Sequence, residues 1–204
     1  MPRFTKPYAD FVQRLRVPIG FLLVAAFAYW SSPTPSSIAW GVPISVAGLL
    51  LRGWAAGHLA KNQSLAVSGP YAFTRNPLYL GTLLVAIGLV VASRQPGLAI
   101  LFAAAFGLVY LPAIELEEQH LRKLFPEYAS YARRVPRLGV RLPGERVAEP
   151  FRLVLYRKNQ EYQAAAGYLA GIGGRPRIFR VRHRVLRLHA APNSCRRSPD
   201  ARAQ

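Results

Sequence analysis

The chain has 204 residues, 27 lysines and arginines against 9 acids, a net charge of +18, and 51% hydrophobic residues. At this length one domain is expected, and a positive mean hydropathy beside so much charge requires that apolar and basic residues be segregated along the chain. A single cysteine, Cys195, excludes an intramolecular disulfide and a cysteine-built zinc cage, and the four histidines show no metal-ligand spacing.

No charge occurs in Val17–Leu51, Pro77–Ser93 or Gln95–Ile114. Such runs read as membrane helices, which need about 20 mostly apolar residues. The first helix is expected over about 11–30, behind Arg14 and Arg16. A cleaved signal peptide is the alternative there, with "AFA" at Ala26–Ala28 resembling a cleavage site, and the further spans disfavour it. "SSPTPSS", Ser31–Ser37, makes a turn into a second helix over about 38–60, whose arginine reaches back to the headgroups. Helices over about 77–93 and 95–118 follow, joined by the tight turn "SRQPG", and an amphipathic helix covers about 119–135. The expected fold is therefore all-α, a polytopic integral membrane protein of about four transmembrane helices with a cytoplasmic pocket and a C-terminal amphipathic helix.

Cations flank these runs unevenly. Arg3, Lys6, Arg14, Arg16, Arg52, Lys61 and Arg75, and many after the fourth helix, lie on one side, and only Arg94 lies on the other. The positive-inside rule places both termini and the 53–76 loop in the cytoplasm, in what reads as a bacterial inner membrane. Membrane lipids are the expected partners of this charge, and no nucleic acid or obligate protein partner is indicated, since the cations form no aromatic-interleaved binding module. Residues 1–148 read as one membrane domain and 149–172 as an amphipathic or apolar extension, too short in its apolar part to span. Residues 173–204, with nine arginines and no lysine, read as a disordered basic tail on anionic lipid.

Two polar clusters fall at the same membrane face. "GPYAFTRNPLYLG", Gly69–Gly81, starts a helix with Asn76 as N-cap and Pro77 at the first position, which leaves Tyr71, Arg75 and Tyr79 unexplained. "PAIELEEQHLRKLFPEYASYARRVPR", Pro112–Arg137, carries three acids out of the fourth helix. Glu118 has Arg122 four residues on, so a surface ion pair is one reading, and Glu115 reads as solvated. Glu117 has Ala113, Ile114, Leu121 and Leu124 as helical neighbours, which places it on the apolar stripe as a functional candidate.

These two blocks, in this order and separation, resemble the isoprenylcysteine carboxyl methyltransferase and phospholipid methyltransferase family of integral membrane enzymes, over about Leu50–Pro143. The resemblance implies S-adenosylmethionine as cofactor, bound by Gln63, Ser64, Leu65, Ala66, Tyr71, Asn76, Pro77, Leu78, Tyr79 and Glu117. It implies methyl transfer to a membrane-embedded, lipid-like small molecule, a prenylcysteine-like carboxylate or a phospholipid-type amine. Arg75 and Glu118 are the catalytic candidates, with His58 or His120 as further bases if the acceptor must lose a proton. No metal is implied. Asn76 stands where prenylcysteine enzymes carry histidine, and Ala113 where they carry an arginine that engages the substrate carboxylate. The alternatives are a membrane sterol-reductase-like enzyme using NADPH, disfavoured by small size and the paired glutamates, and a non-catalytic membrane protein.

Overall fold

A computed structural model of the chain describes residues 6–141 and 149–173. All regular structure among them is helical. In order these are α1 (Lys6–Trp30), α2 (Pro35–Ala56), a short 3-10 turn at Gly69–Ala72, α3 (Pro77–Ser93), α4 (Pro96–Ala105), a π turn at Phe106–Tyr110, α5 (Leu111–Leu124), α6 (Tyr128–Arg134), α7 (Leu153–Lys158) and α8 (Tyr162–Gly173).

Local chemistry sets the boundaries. Helix α2 starts at Pro35 because Thr34 closes a capping box with Ser37, each side chain engaging the other's backbone N–H. It stops at Ala56, short of the expected residue 60, as Gly57 caps it. The turn between α3 and α4 is held by Arg94 in the left-handed region (φ 55°) with Pro96 opening the next helix. Helices α4 and α5 join through the π turn into one rod, Pro96–Leu124. The rod passes the expected end at 118 and stops where Phe125, extended ahead of Pro126, cannot continue it. The amphipathic segment expected over 119–135 is thus divided between the end of α5 and the separate α6. Helix α1 begins five residues before the expected 11, at Lys6.

Helices α2 and α3 form a tight antiparallel hairpin along a seam of small residues. Gly41 and Ser45 face Gly88, and Gly48 faces Gly81, where a Cβ on Gly48 would stand 2.6 Å from the Gly81 carbonyl oxygen. Two hydroxyls bond across the seam, Ser37 Oγ to the Ala92 carbonyl (2.9 Å) and Ser45 Oγ to the Val85 carbonyl (3.1 Å). Small residues that admit close backbones, with hydroxyls bonding across, are how helices associate where the solvent is itself apolar.

Two helices, α2 and the Pro96–Leu124 rod, are long and apolar enough to cross a membrane, and Pro18–Trp30 and α3 are shorter apolar helices. Only 22% and 33% of the apolar windows of α2 and the rod are buried, so neither is the core helix of a water-soluble bundle. Phe21, Leu22, Tyr29, Trp40, Leu50, Ile100 and Leu108 all point outward. An outer surface of that kind calls for lipid.

The hairpin geometry gathers polar groups at one end. The C-terminal end of α2, the N-terminal end of α3 and the body of α5 meet there. At the opposite end Ser32 N–H bonds to the Ser93 carbonyl (3.0 Å). Residues 149–173 return to the polar end as a strap. Asn159 Nδ2 donates to the carbonyls of Ala56 (3.0 Å) and Leu59 (2.9 Å), satisfying acceptors that the end of α2 leaves open. Arg152 N–H bonds to the Gly57 carbonyl (3.0 Å), and the Phe151 ring lies against Gly57. Helix α8 has 12 residues, too few to span. The basic tail expected beyond residue 173 lies outside the described residues.

Candidate functional site

The two motif blocks meet at Glu118. Its carboxylate is 2% exposed and accepts from Arg75 Nη1 (3.1 Å), Asn76 Nδ2 (3.1 Å) and both Nε and Nη2 of Arg137 (3.2 and 2.9 Å). Glu115, one helical turn earlier and also buried, lies 3.8 Å from Arg137 Nη1. Backbone bonds reinforce the join: Arg75 N–H to the Pro136 carbonyl (2.9 Å) and Arg141 N–H to the Phe73 carbonyl (3.1 Å). Asn76 Nδ2 and the Thr74 hydroxyl both reach the Arg137 carbonyl (3.1 and 3.3 Å). Tyr131, from α6, donates to the Tyr71 carbonyl (2.8 Å).

This geometry corrects three placements read from sequence. Glu118 is not half of a surface pair with Arg122, whose guanidinium instead lies over the Tyr128 ring at 5.5 Å. Glu115 is not solvated. Glu117, placed on the apolar stripe, is exposed and makes no hydrogen bond or ion pair among the described residues. Its apolar neighbours Leu121 and Leu124 are not buried, Leu124 being 41% exposed. Its other two apolar neighbours, Ala113 and Ile114, are buried, so the stripe passes from the interior to an outer face, and the most buried acids of the helix are Glu115 and Glu118.

Asn76 occupies the N-cap position of α3 but makes no side-chain cap, because its amide is turned to Glu118 and Arg137. Pro77 opens the helix as expected. Tyr71 is buried at 7% exposure, and its hydroxyl is pushed well above the usual phenol range, first by burial, then by the neighbouring Tyr131, Glu117 and Glu161. Tyr79 turns its ring edge-on to Tyr110 in the π turn, centroids 6.3 Å apart. Gln63 and Ser64 are exposed, Leu65 and Ala66 half-buried, on the turn after α2, and no hydrogen bond ties them to the Glu118 cluster.

His58 is buried. Its Nδ1 pairs with Ser68 Oγ (3.1 Å), which also reaches Glu149 Oε2 (3.4 Å), and Phe151 covers the ring edge-on. Burial lowers its pKa, with Glu149 acting the other way. His120 is exposed. Ala113 is buried at 3% exposure.

Several site residues were not singled out by sequence reasoning. Arg137 and Glu115 were within the quoted block, and the spacing of Glu115 to Glu118, one helical turn, was the signal that they share a face. Arg75 also lies against the buried Tyr128 hydroxyl and opposes the rise in pKa that burial imposes on it. Arg52, whose Nη1 bonds to the Leu78 carbonyl (3.3 Å) and whose Nη2 pairs with Glu161 (2.7 Å), had no local signal. Beside the site, a crevice of about 460 Å³ runs between α3 and the rod, lined by Leu83, Ile87, Val90, Phe102, Phe106 and Leu111 among other apolar residues.

Residues 39–128 match the phospholipid methyltransferase family, which the two motif blocks resemble. The chain is similar to the cobalt-zinc-cadmium resistance protein CzcN of Cupriavidus metallidurans, 37% identical over 116 residues, 55% of this chain and 52% of that one. It is 36% identical over 104 residues to the nickel-cobalt-cadmium resistance protein NccN of Alcaligenes xylosoxydans xylosoxydans, 50% of this chain and 47% of that one. A third relative is protein-S-isoprenylcysteine O-methyltransferase B of Arabidopsis thaliana, 34% identical over 85 residues, 39% of this chain and 43% of that one. The chain spans about half the length of these relatives or less. No solved structure matches it.

Proposed function

We propose that the chain is a membrane methyltransferase that takes its methyl group from S-adenosylmethionine and passes it to a lipid-like acceptor. The observation that carries this reading is the join at Glu118, which closes the two blocks of the family segment into one polar site at the end of an otherwise apolar helix bundle. The residues present fit the cofactor. Glu117 is an exposed carboxylate with no described partner, suited to a cationic group, beside the Tyr71 hydroxyl, and Leu78 and Tyr79 line the first turn of α3. When bound, the cofactor supplies an electrophilic methyl on a sulfonium. The chain's own contribution is orientation of the two reactants and exclusion of water, worth up to about 7–11 kcal/mol in favourable cases.

Within this reading Glu118 is a positioning residue. Its oxygens already accept four hydrogen bonds, so it holds Arg75, Asn76 and Arg137 in place instead of taking a proton. The lipid-like acceptor is supported by the apolar crevice, which begins one turn along α3 from Tyr79 and ends at Leu111, next to Tyr110. Ala113 leaves the site without a cation at the position that reads a prenylcysteine carboxylate in similar enzymes, which favours an acceptor of phospholipid type. In this reading α1 and α3 cross the membrane beside the two long apolar helices, α2 and the rod, and the positive-inside rule puts the polar end and its arginines in the cytoplasm.

The test is calorimetry on the detergent-purified full chain with S-adenosylhomocysteine and, separately, NADPH. Binding of the first and not the second is expected. NADPH binding alone would transfer the chain to the reductase class.

A further inference from the structure

Arg52 is fixed from one side by α3. Its Nη1 donates to the Leu78 carbonyl (3.3 Å) and to the Thr82 hydroxyl, which in turn bonds to Leu78 (3.0 Å). The other edge of the guanidinium is thereby aimed, and it forms a two-pronged pair with Glu161: Nε to Oε2 at 3.0 Å, Nη2 to Oε1 at 3.0 Å and to Oε2 at 2.7 Å. That planar fork is the arrangement in which arginine binds carboxylate or phosphate.

The partner is unusual in where it comes from. Arg75 and Arg137 pair with carboxylates of the rod, inside the bundle, whereas Glu161 sits on the strap just before α8 and beyond the family segment 39–128. The pair is only partly exposed, its side chains 22% and 12% accessible. It is also part of the candidate site, since Arg52 bonds to the carbonyl of Leu78 in the motif. An anion that reaches this guanidinium meets a fork already occupied by Glu161.

We propose that Arg52 is the oxyanion-binding group of this site and that Glu161 fills its fork as an internal substitute, so that a ligand carboxylate or phosphate binds by displacing Glu161 and the start of α8. Two anionic groups do not share one guanidinium edge without repulsion, so the exchange is a swap. The ligand chemistry has two sources, the carboxylate on the amino-acid portion of the cofactor and the phosphate of a lipid acceptor. The first source rests on the methyltransferase reading, and the second does not.

The experiment compares the parent full chain with Glu161→Gln and Arg52→Gln in detergent, by calorimetry with three probes. These are S-adenosylhomocysteine, methylthioadenosine, which lacks the amino-acid portion, and short-chain phosphatidic acid. Removing the internal competitor is expected to tighten S-adenosylhomocysteine by about tenfold and leave methylthioadenosine unchanged, while Arg52→Gln weakens the former by at least about tenfold. Retained methylthioadenosine binding shows that each variant is folded. Addition of S-adenosylhomocysteine to the parent is also expected to speed proteolytic cleavage within residues 149–173. Tightening of phosphatidic acid alone identifies the lipid phosphate as the anion. A parent that binds neither nucleoside sinks the methyltransferase reading while the phosphatidic acid arm still decides the role of Arg52. Unchanged affinity of Glu161→Gln for all three probes overturns the proposal and makes the pair a structural clip.

Discussion

Two arginine–glutamate clusters stand at the polar end of this bundle, and they are built on opposite principles. At Glu118 one carboxylate, 3% exposed in its side chain, is held by Arg75, Asn76 and Arg137 from two separate chain segments. At Arg52 the cation is the anchored member, and the carboxylate arrives on a strap. A buried carboxylate that accepts four hydrogen bonds cannot leave without stranding two cations. A partly exposed one with a single cation can. The first arrangement fixes a loop, and the second suits exchange.

Breaking the first cluster should therefore give the largest effect. Glu118→Gln removes the charge that compensates Arg75 and Arg137, and truncating one side of such a buried network is worth about 3–5 kcal/mol of stability. Unfolding in a denaturing-detergent titration measures it, and a loss below about 1 kcal/mol would mean that Glu118 is already hydrated in the folded protein.

Cutting the strap's anchor comes next. Asn159→Ala leaves the Leu59 carbonyl without its donor and the Ala56 carbonyl with only the long bond from the Leu59 N–H (3.5 Å), an expected loss of about 1–2 kcal/mol, read by the same titration and by faster amide exchange over 149–173. Breaking the second cluster should do less. Glu161→Gln should lower stability by under about 1 kcal/mol, as a partly exposed pair does. If it destabilised as much as Glu118→Gln, the contrast between the clusters would collapse.

Glu117→Gln completes the series. With no described partner to lose, it should leave stability within about 0.5 kcal/mol of the parent while S-adenosylhomocysteine affinity falls at least tenfold. Equal affinity in calorimetry would remove Glu117 from the cofactor's surroundings.

Acidification probes the joint between strap and bundle. Burial holds His58 below its ordinary pKa, so the folded state favours the neutral ring. Stability from this group is present above the unfolded pKa of about 6.5 and is lost as pH falls through the lower folded value. A His58→Asn variant should show a flatter thermal midpoint against pH across that window than the parent.

The sequence by itself determined the helical class, the hairpin turn points and the pairing of the two motif blocks. Each of these is written locally: uncharged runs demand helices in an apolar solvent, Thr34 and Ser37 close a cap, and Pro96 opens a helix beside the left-handed Arg94. Periodicity also told which residues of α5 share a face, but not what that face meets. It put Glu117 on a stripe with Ala113, Ile114, Leu121 and Leu124, of which the first two are buried and the last is exposed, while the buried acids are Glu115 and Glu118. Only tertiary structure decided this, because in a bundle with an apolar exterior the apolar side of a helix faces outward as readily as inward, so hydrophobicity no longer marks the core. The Arg52–Glu161 pair was likewise decided by tertiary structure alone. Its two residues are 109 positions apart, and the strap reaches α2 through backbone carbonyls at Ala56, Gly57 and Leu59, acceptors that every residue carries and no side-chain pattern announces.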